Sequence, residues 1–352
     1  MKKNELVIVL GLMAVLALTA GLVIGISKQT APVNDQGETS VPTSSSDIKN
    51  GTEEEAAEVS YLKSDEAKQA VMDQDLALMD AYGLHYDYAH LSLPEVVQVY
   101  LDEIGAPHSS VAFSYKNTET GEIIAMNELQ PMTAGSTYKL PLNMLIVDDV
   151  LNGQFFMDKP YDIVNLSFEN ESEYLAYRGQ FGNAMTISEM QEYSLVYSEN
   201  TPAYGMIQML GGFEAAYKLF GRYGQSRADI KAIDLESGNK TTTDYYIQVL
   251  DYLWHHQEKY SDILYYLGIS FPNQYFKAYL SHLTIYQKPG YYAEALNVDA
   301  IVYEETPYLI ALYTAGLGGS NAETTEINGL GYVQLTELTY VINQWHRVNQ
   351  NP

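Results

Sequence analysis

The sequence predicts an α+β fold: an antiparallel β-sheet flanked by helices plus an all-helical subdomain, preceded by an N-terminal transmembrane helix. Three observations predict it. The patterned segments follow the order helix, hairpin, helices, three strands and closing helix, and strands joined by short turns pair antiparallel. A long block of helical patterning separates the hairpin from the later strands. An uncharged apolar run over residues 6–26 has the length needed to cross a bilayer.

Composition limits the possible functions. The chain has 352 residues, 46% of them hydrophobic, a formal net charge of −26 and no cysteine. This length allows one large domain or two ordinary ones plus tails, with ample material for a core. The negative charge argues against binding nucleic acid or docking on anionic lipid. Without cysteine there are no disulfides, no thiolate catalysis and no cysteine-bound metal.

The first 28 residues are interpreted as a membrane anchor. Lysines near the start favour a cytoplasmic N-terminus, with the chain after Lys28 outside the membrane. A cleaved signal peptide is the rival interpretation, but only the weak Gly25-Ile-Ser27 resembles a cleavage site. Residues 29–84 are predicted to be a disordered, acidic, Ser/Thr-rich tether that contains a short helix within 60–82. The main domain is then expected over residues 85–352.

The elements of this domain follow from periodicity and turn chemistry. Apolar residues at helical spacing predict helices, with capping hydroxyls at several starts and glycine after several ends. Runs rich in tyrosine and β-branched residues predict strands, and Asn117-Thr-Glu-Thr-Gly121 predicts the hairpin turn. In order, we expect a helix at 93–104; strands at 110–116 and 122–126; helices at 136–151, 186–196, 203–210, 213–223 and 241–257; strands at 283–292, 295–303 and 308–314; and a helix at 327–348.

One serine–lysine pair opens a predicted helix. Ser136 and Lys139 are three residues apart, which places both side chains on one face. Near a helix N-terminus, free N–H groups favour developing negative charge. An amine held neutral by burial takes a proton from a serine hydroxyl and makes it a nucleophile. The spacing also arises by chance, and a solvated helix lysine is the plain alternative for Lys139.

Two further short motifs follow at later positions. Ser198-Glu199-Asn200 lies between two predicted helices, and Lys288-Pro289-Gly290 lies on a predicted strand. With Ser136-x-x-Lys139 in front of them, the set resembles the class A β-lactamases and penicillin-binding serine acyltransferases, whose signatures are Ser-x-x-Lys, Ser-Asp-Asn and Lys-Thr-Gly. The resemblance covers about residues 86–348 and includes the following segments: Thr118–Gly121, Met185–Met190, Ser198–Ala203, Leu210–Gly212, Thr241–Thr243 and Asn297–Val302.

The resemblance implies covalent acyl transfer. Ser136 attacks a carbonyl and becomes acylated, with Lys139 as its base or as the group that controls the base. Ser198 relays a proton to the departing nitrogen, and Asn200 orients Lys139 and the substrate amide. Lys288 attracts a substrate carboxylate and holds Ser198.

The resemblance also implies how substrate binds. Gly290 and Tyr291 contact it, and the backbone N–H groups of Ser136 and Tyr291 form the oxyanion hole. A substrate peptide lies along the edge of the Lys288 strand. The expected substrates are β-lactams or cell-wall peptide amides, acted on by a monomer anchored at a Gram-positive bacterial surface. No cofactor or metal is expected, since the histidines are scattered.

Two departures from the family pattern bear on mechanism. Pro289 replaces threonine and lacks both the hydroxyl and the N–H that would bind a carboxylate, although an edge strand tolerates proline. The loop that carries the deacylating glutamate is short, and Glu236, three residues before Asn239, is the candidate for that role. A simple turn is the alternative interpretation, in which case deacylation is slow.

Plain alternatives exist for the other motif residues too. Ser198 is then a helix N-cap, and Lys288 an edge-strand lysine that blocks aggregation. In the corresponding functional alternative, the domain is a catalytically silent copy of the fold that binds cell wall or protein.

Overall fold

A computed structural model describes residues 63–165, 171–234 and 239–350. The predicted anchor and almost all of the predicted tether lie outside these ranges, as does Glu236. Within them, no helix is both long and apolar enough to span a membrane.

A five-stranded antiparallel sheet forms the centre of the fold, as the sequence predicted. Its spatial order is β2-β1-β9-β8-β7, so β2 and β7 are the edges. The hairpin strands come early in the chain and the other three late, which confirms that the helical segments between them are an insertion. The strands are β1 (Val111–Asn117), β2 (Ile123–Met126), β7 (Thr284–Tyr292), β8 (Ala295–Tyr303) and β9 (Tyr308–Thr314).

Apolar side chains on both faces of the sheet are buried, because helices cover each face. On one face, α2 (Leu93–Ile104) and α11 (Gly329–Asn349) pack on strand residues such as Phe113 and Val298. On the other face, α8 (Thr243–His255) packs against β1, β8 and β9. The sheet is therefore the middle layer of a three-layer structure, whose strands carry nearly continuous buried residues.

Most of the remaining helices form the all-helical part beside the sheet. They share a core with the α8 face that includes Leu142, Met190 and Met206. The chain also forms short strand pairs in this region, β3 (Met132–Thr133) with β6 (Lys240–Thr241) and β4 (Pro160–Asp162) with β5 (Ala184–Thr186). These helices are α3 (Lys139–Leu151), α4 (Glu171–Phe181), α5 (Ile187–Val196), α6 (Asn200–Met209), α7 (Phe213–Leu219) and α9 (Ser261–Ile269). The single-turn α10 (Phe276–Tyr279) instead packs on α11, on the other face of the sheet.

The predicted tether helix is α1 (Asp65–Tyr82), and it packs on α11. Met79 is buried, and Arg347 of α11 holds the buried Asp75 with contacts of 2.9 and 3.2 Å. The folded domain therefore includes α1 and begins before His85, the residue at which the sequence predicts its start. The helix gives a weak sequence signal of this docking, because the charged Asp75 interrupts the apolar stripe formed by Met72, Met79 and Tyr82.

Besides the single-turn α10, two helices were not predicted, α4 and α9. The tyrosines and polar residues of α4 show no clear apolar stripe, and α9 is apolar around most of its surface. The serine–lysine segment also differs in detail. Ser136 lies in a 3-10 turn over Gly135–Tyr138, and the α-helix itself begins at Lys139.

Candidate active site

The turn that carries Ser136 is fixed to the sheet by an asparagine. Asn297 on β8 donates from Nδ2 to the carbonyls of Thr133 and Ala134, at 2.7 and 3.1 Å. Its Oδ1 accepts from the N–H of Thr314 at 3.0 Å. All these groups are buried, and the hydrogen bonds to Asn297 therefore join the turn firmly to β8. The turn therefore holds Ser136, which is partly exposed, directly before the N-terminus of α3.

Lys139 is fully buried directly behind Ser136. Its Nζ donates to Ser136 Oγ at 3.0 Å and to Asn200 Oδ1 at 2.8 Å, and it also donates to the carbonyl of Ser198. A lysine amine has three donors when charged, and each has an acceptor here. The alternative of a solvated helix lysine is therefore wrong.

Ser198 has an unusual backbone conformation. Its φ is +63°, in the left-handed region that non-glycine residues seldom adopt. Such strain persists where surrounding contacts impose it, often at functional sites. Here the carbonyl accepts from Lys139, while Oγ accepts from Lys288 Nζ at 2.7 Å. Ser198 is not an N-cap: that position of α6 is occupied by Glu199, whose side chain makes no capping hydrogen bond.

Lys288 lies on β7 and is also fully buried, so it does not act as a solvated edge lysine. Its Nζ donates to Ser198 Oγ and, at 3.0 Å, to the carbonyl of Pro289. Burial lowers the pKa of Lys288 well below its ordinary value, and the nearby Lys139 lowers it further. The charge of Asp299, which pairs with Lys288 across the β7–β8 ladder, acts in the opposite direction.

Asp299 is a site residue that sequence reasoning did not single out. It is buried, and its Oδ2 accepts from Tyr313 OH at 3.2 Å. Desolvation raises its pKa well above the ordinary value, against the opposing effects of Tyr313 and Lys288. An aspartate within the apolar run Asn297–Val302 was the available signal.

Gly290 and Tyr291 lie against the Ser136 turn. A Cβ on Gly290 would come within 2.7 Å of the Ala134 carbonyl oxygen and 2.9 Å of the Thr137 nitrogen. A Cβ on Gly135 would come within 2.8 Å of the Tyr291 nitrogen. Both positions require glycine because two backbone segments meet there, and Gly135 also has a φ of +57°. The contact brings the backbones around Ser136 and Tyr291 together.

Glu173 is a second residue near the site, after Asp299, that the sequence did not reveal. It lies on helix α4, which was not predicted. Its Oε1 accepts from the N–H groups of Asn200 at 2.8 Å and Thr201 at 3.0 Å. Its charge and hydrogen bonding also affect Glu199. Desolvation first, and Glu173 second, raise the pKa of Glu199 to about 7, while Lys139 opposes the shift. No local motif marks Glu173, because its partners are 27 and 28 residues later.

The structure therefore brings together all three motifs around Ser136. Glu236, the candidate for deacylation, lies outside the described residues. Pro289 lies on β7, an edge strand of the sheet, where a proline is tolerated. In the described ranges, no group of three or more His, Asp or Glu side chains is arranged to hold a metal ion. Fold and site together define the class, a β-lactamase-like serine hydrolase.

Comparisons with known proteins agree with this class. Residues 97–332 match the model of the Beta-lactamase enzyme family, and the chain belongs to that family. No curated protein matches the sequence significantly.

Solved structures share the fold. A variant of the last common ancestor of Gram-negative class A β-lactamases has 18% identity and a TM-score of 0.58, over 72% of this chain and 97% of that one. A β-lactamase from Burkholderia vietnamiensis has 17% identity and a TM-score of 0.57, over 73% and 97%. One from Xanthomonas campestris has 16% and 0.56, over 71% and 97%.

Proposed function

We propose that the protein forms an acyl-enzyme on Ser136 with β-lactams or with cell-wall peptide amides. One observation carries the proposal: Lys139 Nζ lies 3.0 Å from Ser136 Oγ, buried and held from its other side by the Ser198–Asn200 segment. A serine hydroxyl becomes nucleophilic when a positioned base takes its proton.

The reaction assigns a role to each motif. For this step Lys139 first gives up one proton to solvent, and its free lone pair then accepts the Ser136 proton as Oγ attacks the amide carbonyl carbon. The negative oxygen that forms is stabilised by the N–H groups of Ser136 and Tyr291. The proton that Lys139 takes then returns through Ser198 Oγ to the departing nitrogen as the C–N bond breaks. Lys139 contacts the Ser198 carbonyl, and Lys288 holds its Oγ. Lys288 attracts a carboxylate of the substrate, while Asn200 and Gly290 align its amide. Hydrolysis of the Ser136 ester by water completes the cycle, and this step is slow unless a base such as Glu236 activates the water.

The anchor and location belong to the same proposal. The apolar run over residues 6–26, flanked by lysines, supports a single membrane crossing with the catalytic domain outside the cell. A monomer tethered there reaches cell-wall peptides directly. The acidic residues before the domain suit a solvated tether rather than a binding surface for anionic lipid.

The test is the intact mass of the protein after exposure to a penicillin, a cephalosporin and a D-alanyl peptide ester. We expect an adduct on the wild type and none on Ser136→Ala, with Ser109→Ala as the matched control that keeps the adduct. Absence of an adduct with all three compounds would contradict the proposal.

The lifetime of the adduct separates two outcomes of the reaction. Rapid return to the unmodified mass indicates hydrolytic turnover, for which Glu236 is the candidate base. A persistent adduct indicates a penicillin-binding acyltransferase. We expect persistence, because Glu236 is three residues before Asn239, whereas the loop of class A enzymes reads Glu-x-x-x-Asn.

A silent binding module remains the second candidate, and Pro289 favours it. Proline there removes a hydroxyl and an N–H that would hold a substrate carboxylate. A Ser136→Ala strain that keeps the wild-type phenotype would favour this role over catalysis.

A further inference from the structure

The start of helix α6 has an unusual capping arrangement. Asn200 and Thr201 occupy its first two positions, and their N–H groups have no partner within the helix. The N-cap residue Glu199 does not cap them with its side chain. Glu173 accepts both N–H groups from a different helix, at 2.8 and 3.0 Å. The helix start is therefore fixed by a contact between α4 and α6.

This helix start is also the part of α6 that reaches the proposed active site. Asn200 Oδ1 accepts from Lys139 Nζ at 2.8 Å, and the carbonyl of Ser198 accepts from the same nitrogen. A displacement of Asn200 would move an acceptor of the amine that contacts Ser136. Glu173 is thus connected to Lys139 through a single residue.

We propose that Glu173 and Glu199 act as a proton-sharing carboxyl pair that positions Asn200, and through it Lys139, for acylation of Ser136. Glu173 accepts the two N–H groups, which suits a carboxylate near the positive end of a helix. Glu199 carries the shared proton, so that the two side chains attract instead of repelling. The proposal rests on the acylation proposed for Ser136.

The groups that face Glu199 are consistent with this assignment. The Glu199 carboxyl group hydrogen-bonds with the carboxyl group of Glu173 on α4. Tyr177 of the same helix is nearby, and Lys139 approaches from α3. Its backbone N–H donates to the carbonyl of Tyr193 on α5 at 3.1 Å, which fixes the residue between these helices. Partial burial and the Glu173 charge raise the pKa of Glu199 to about 7, and Lys139 only partly offsets them.

The direction of the pH effect follows from this shift. The folded protein holds the Glu199 proton up to about pH 7, whereas an unfolded glutamate loses it near its ordinary value, about 4.3. The stability contributed by the protonated pair is complete below that ordinary value and is lost as pH rises through about 7. Above it, two negative carboxylates face each other at the start of α6, and the positioning of Asn200 weakens.

The first experimental arm needs no substrate. The free energy of unfolding in urea is measured between about pH 5 and 9 for the wild type, Glu199→Gln and the exposed control Glu214→Gln. We expect the wild type and the control to lose stability through about pH 7 relative to Glu199→Gln, which cannot ionise. Identical pH dependence in all three proteins would overturn the shared proton.

The second arm measures the rate constant for acylation by a fluorescent penicillin over the same pH range. We expect the wild-type rate to fall as pH passes about 7 and this step to be missing in Glu199→Gln. At pH 6, Glu173→Ala should be slowed about tenfold or more while staying folded, and Glu173→Gln, which still has an acceptor oxygen, should recover most of the rate.

The two arms separate the possible failures. A wild-type rate in folded Glu173→Ala, or an unchanged pH step in Glu199→Gln, overturns the positioning role. If no variant, including the wild type, is acylated, the proposed function fails and the positioning role with it, while the unfolding arm still decides whether the pair shares a proton.

Discussion

Gly290→Ala tests how closely β7 must pack on the Ser136 turn. The new Cβ would lie 2.7 Å from the Ala134 oxygen, 2.8 Å from Thr137 Cγ2 and 2.9 Å from the Thr137 nitrogen. Ordinary contact begins at 3.4 Å, so the strand must move away by about 0.7 Å, the difference between 3.4 and 2.7 Å. Two of the three contacts are backbone atoms, which cannot rotate aside.

The displacement has two consequences of different size. Overpacking of this kind costs about 1–3 kcal/mol of unfolding free energy. The same shift separates the N–H groups of Ser136 and Tyr291 from the position of the oxyanion, and misplacement on the 1 Å scale costs up to about a hundredfold in rate. We therefore expect acylation by a penicillin to slow by about 10- to 100-fold in a protein that remains folded.

The assays are urea unfolding and the acylation rate from intact mass. Gly329→Ala is the matched control, because no atom lies within 4 Å of its Cβ and its backbone has no positive φ. We expect the control to match the wild type in both assays. Wild-type stability together with wild-type acylation in Gly290→Ala would refute the close packing and the role of Tyr291 derived from it.

Two further predictions concern Lys288 and α1. Because burial lowers the pKa of Lys288 well below its ordinary value, its charge is lost at a less alkaline pH than that of an exposed lysine. As pH rises, the rate of acylation by a penicillin with a free carboxylate should therefore fall about tenfold relative to the rate of acylation by the neutral methyl ester of the same penicillin. A ratio of the two rates that stays constant with pH would contradict this prediction. Asp75→Ala should lower the unfolding free energy by about 1–3 kcal/mol, because Arg347 loses a partly buried partner. Asp73→Ala, on the exposed side of α1, should have almost no effect, and equal values for the two variants would exclude α1 from the stable core.

The sequence predicted the strands of the sheet well and singled out motif residues that lie together in the structure, and the reasons are local. Strands β8 and β9 were placed at their observed bounds, because runs of tyrosine and β-branched residues end at clear turns. Ser136, Lys139 and Lys288 were found because the motif order is specific, even though each tripeptide alone is weak. Their burial, which excludes the plain alternatives, could be known only from the packing.

What the sequence did not predict depends on contacts between distant segments. Glu173 accepts from residues on another helix, and Asp75 pairs with Arg347 at a separation of 272 residues. Neither contact leaves a periodic or turn signal. The left-handed conformation of Ser198 is likewise imposed by two lysines from different elements rather than by its own preference.

The most direct test of the account is a crystal structure of the protein after soaking in a penicillin. We predict an ester on Ser136 Oγ, with its carbonyl oxygen about 2.7–3.1 Å from the backbone nitrogens of both Ser136 and Tyr291. An acyl group on another residue, or an ester whose oxygen points away from both nitrogens, would contradict the account.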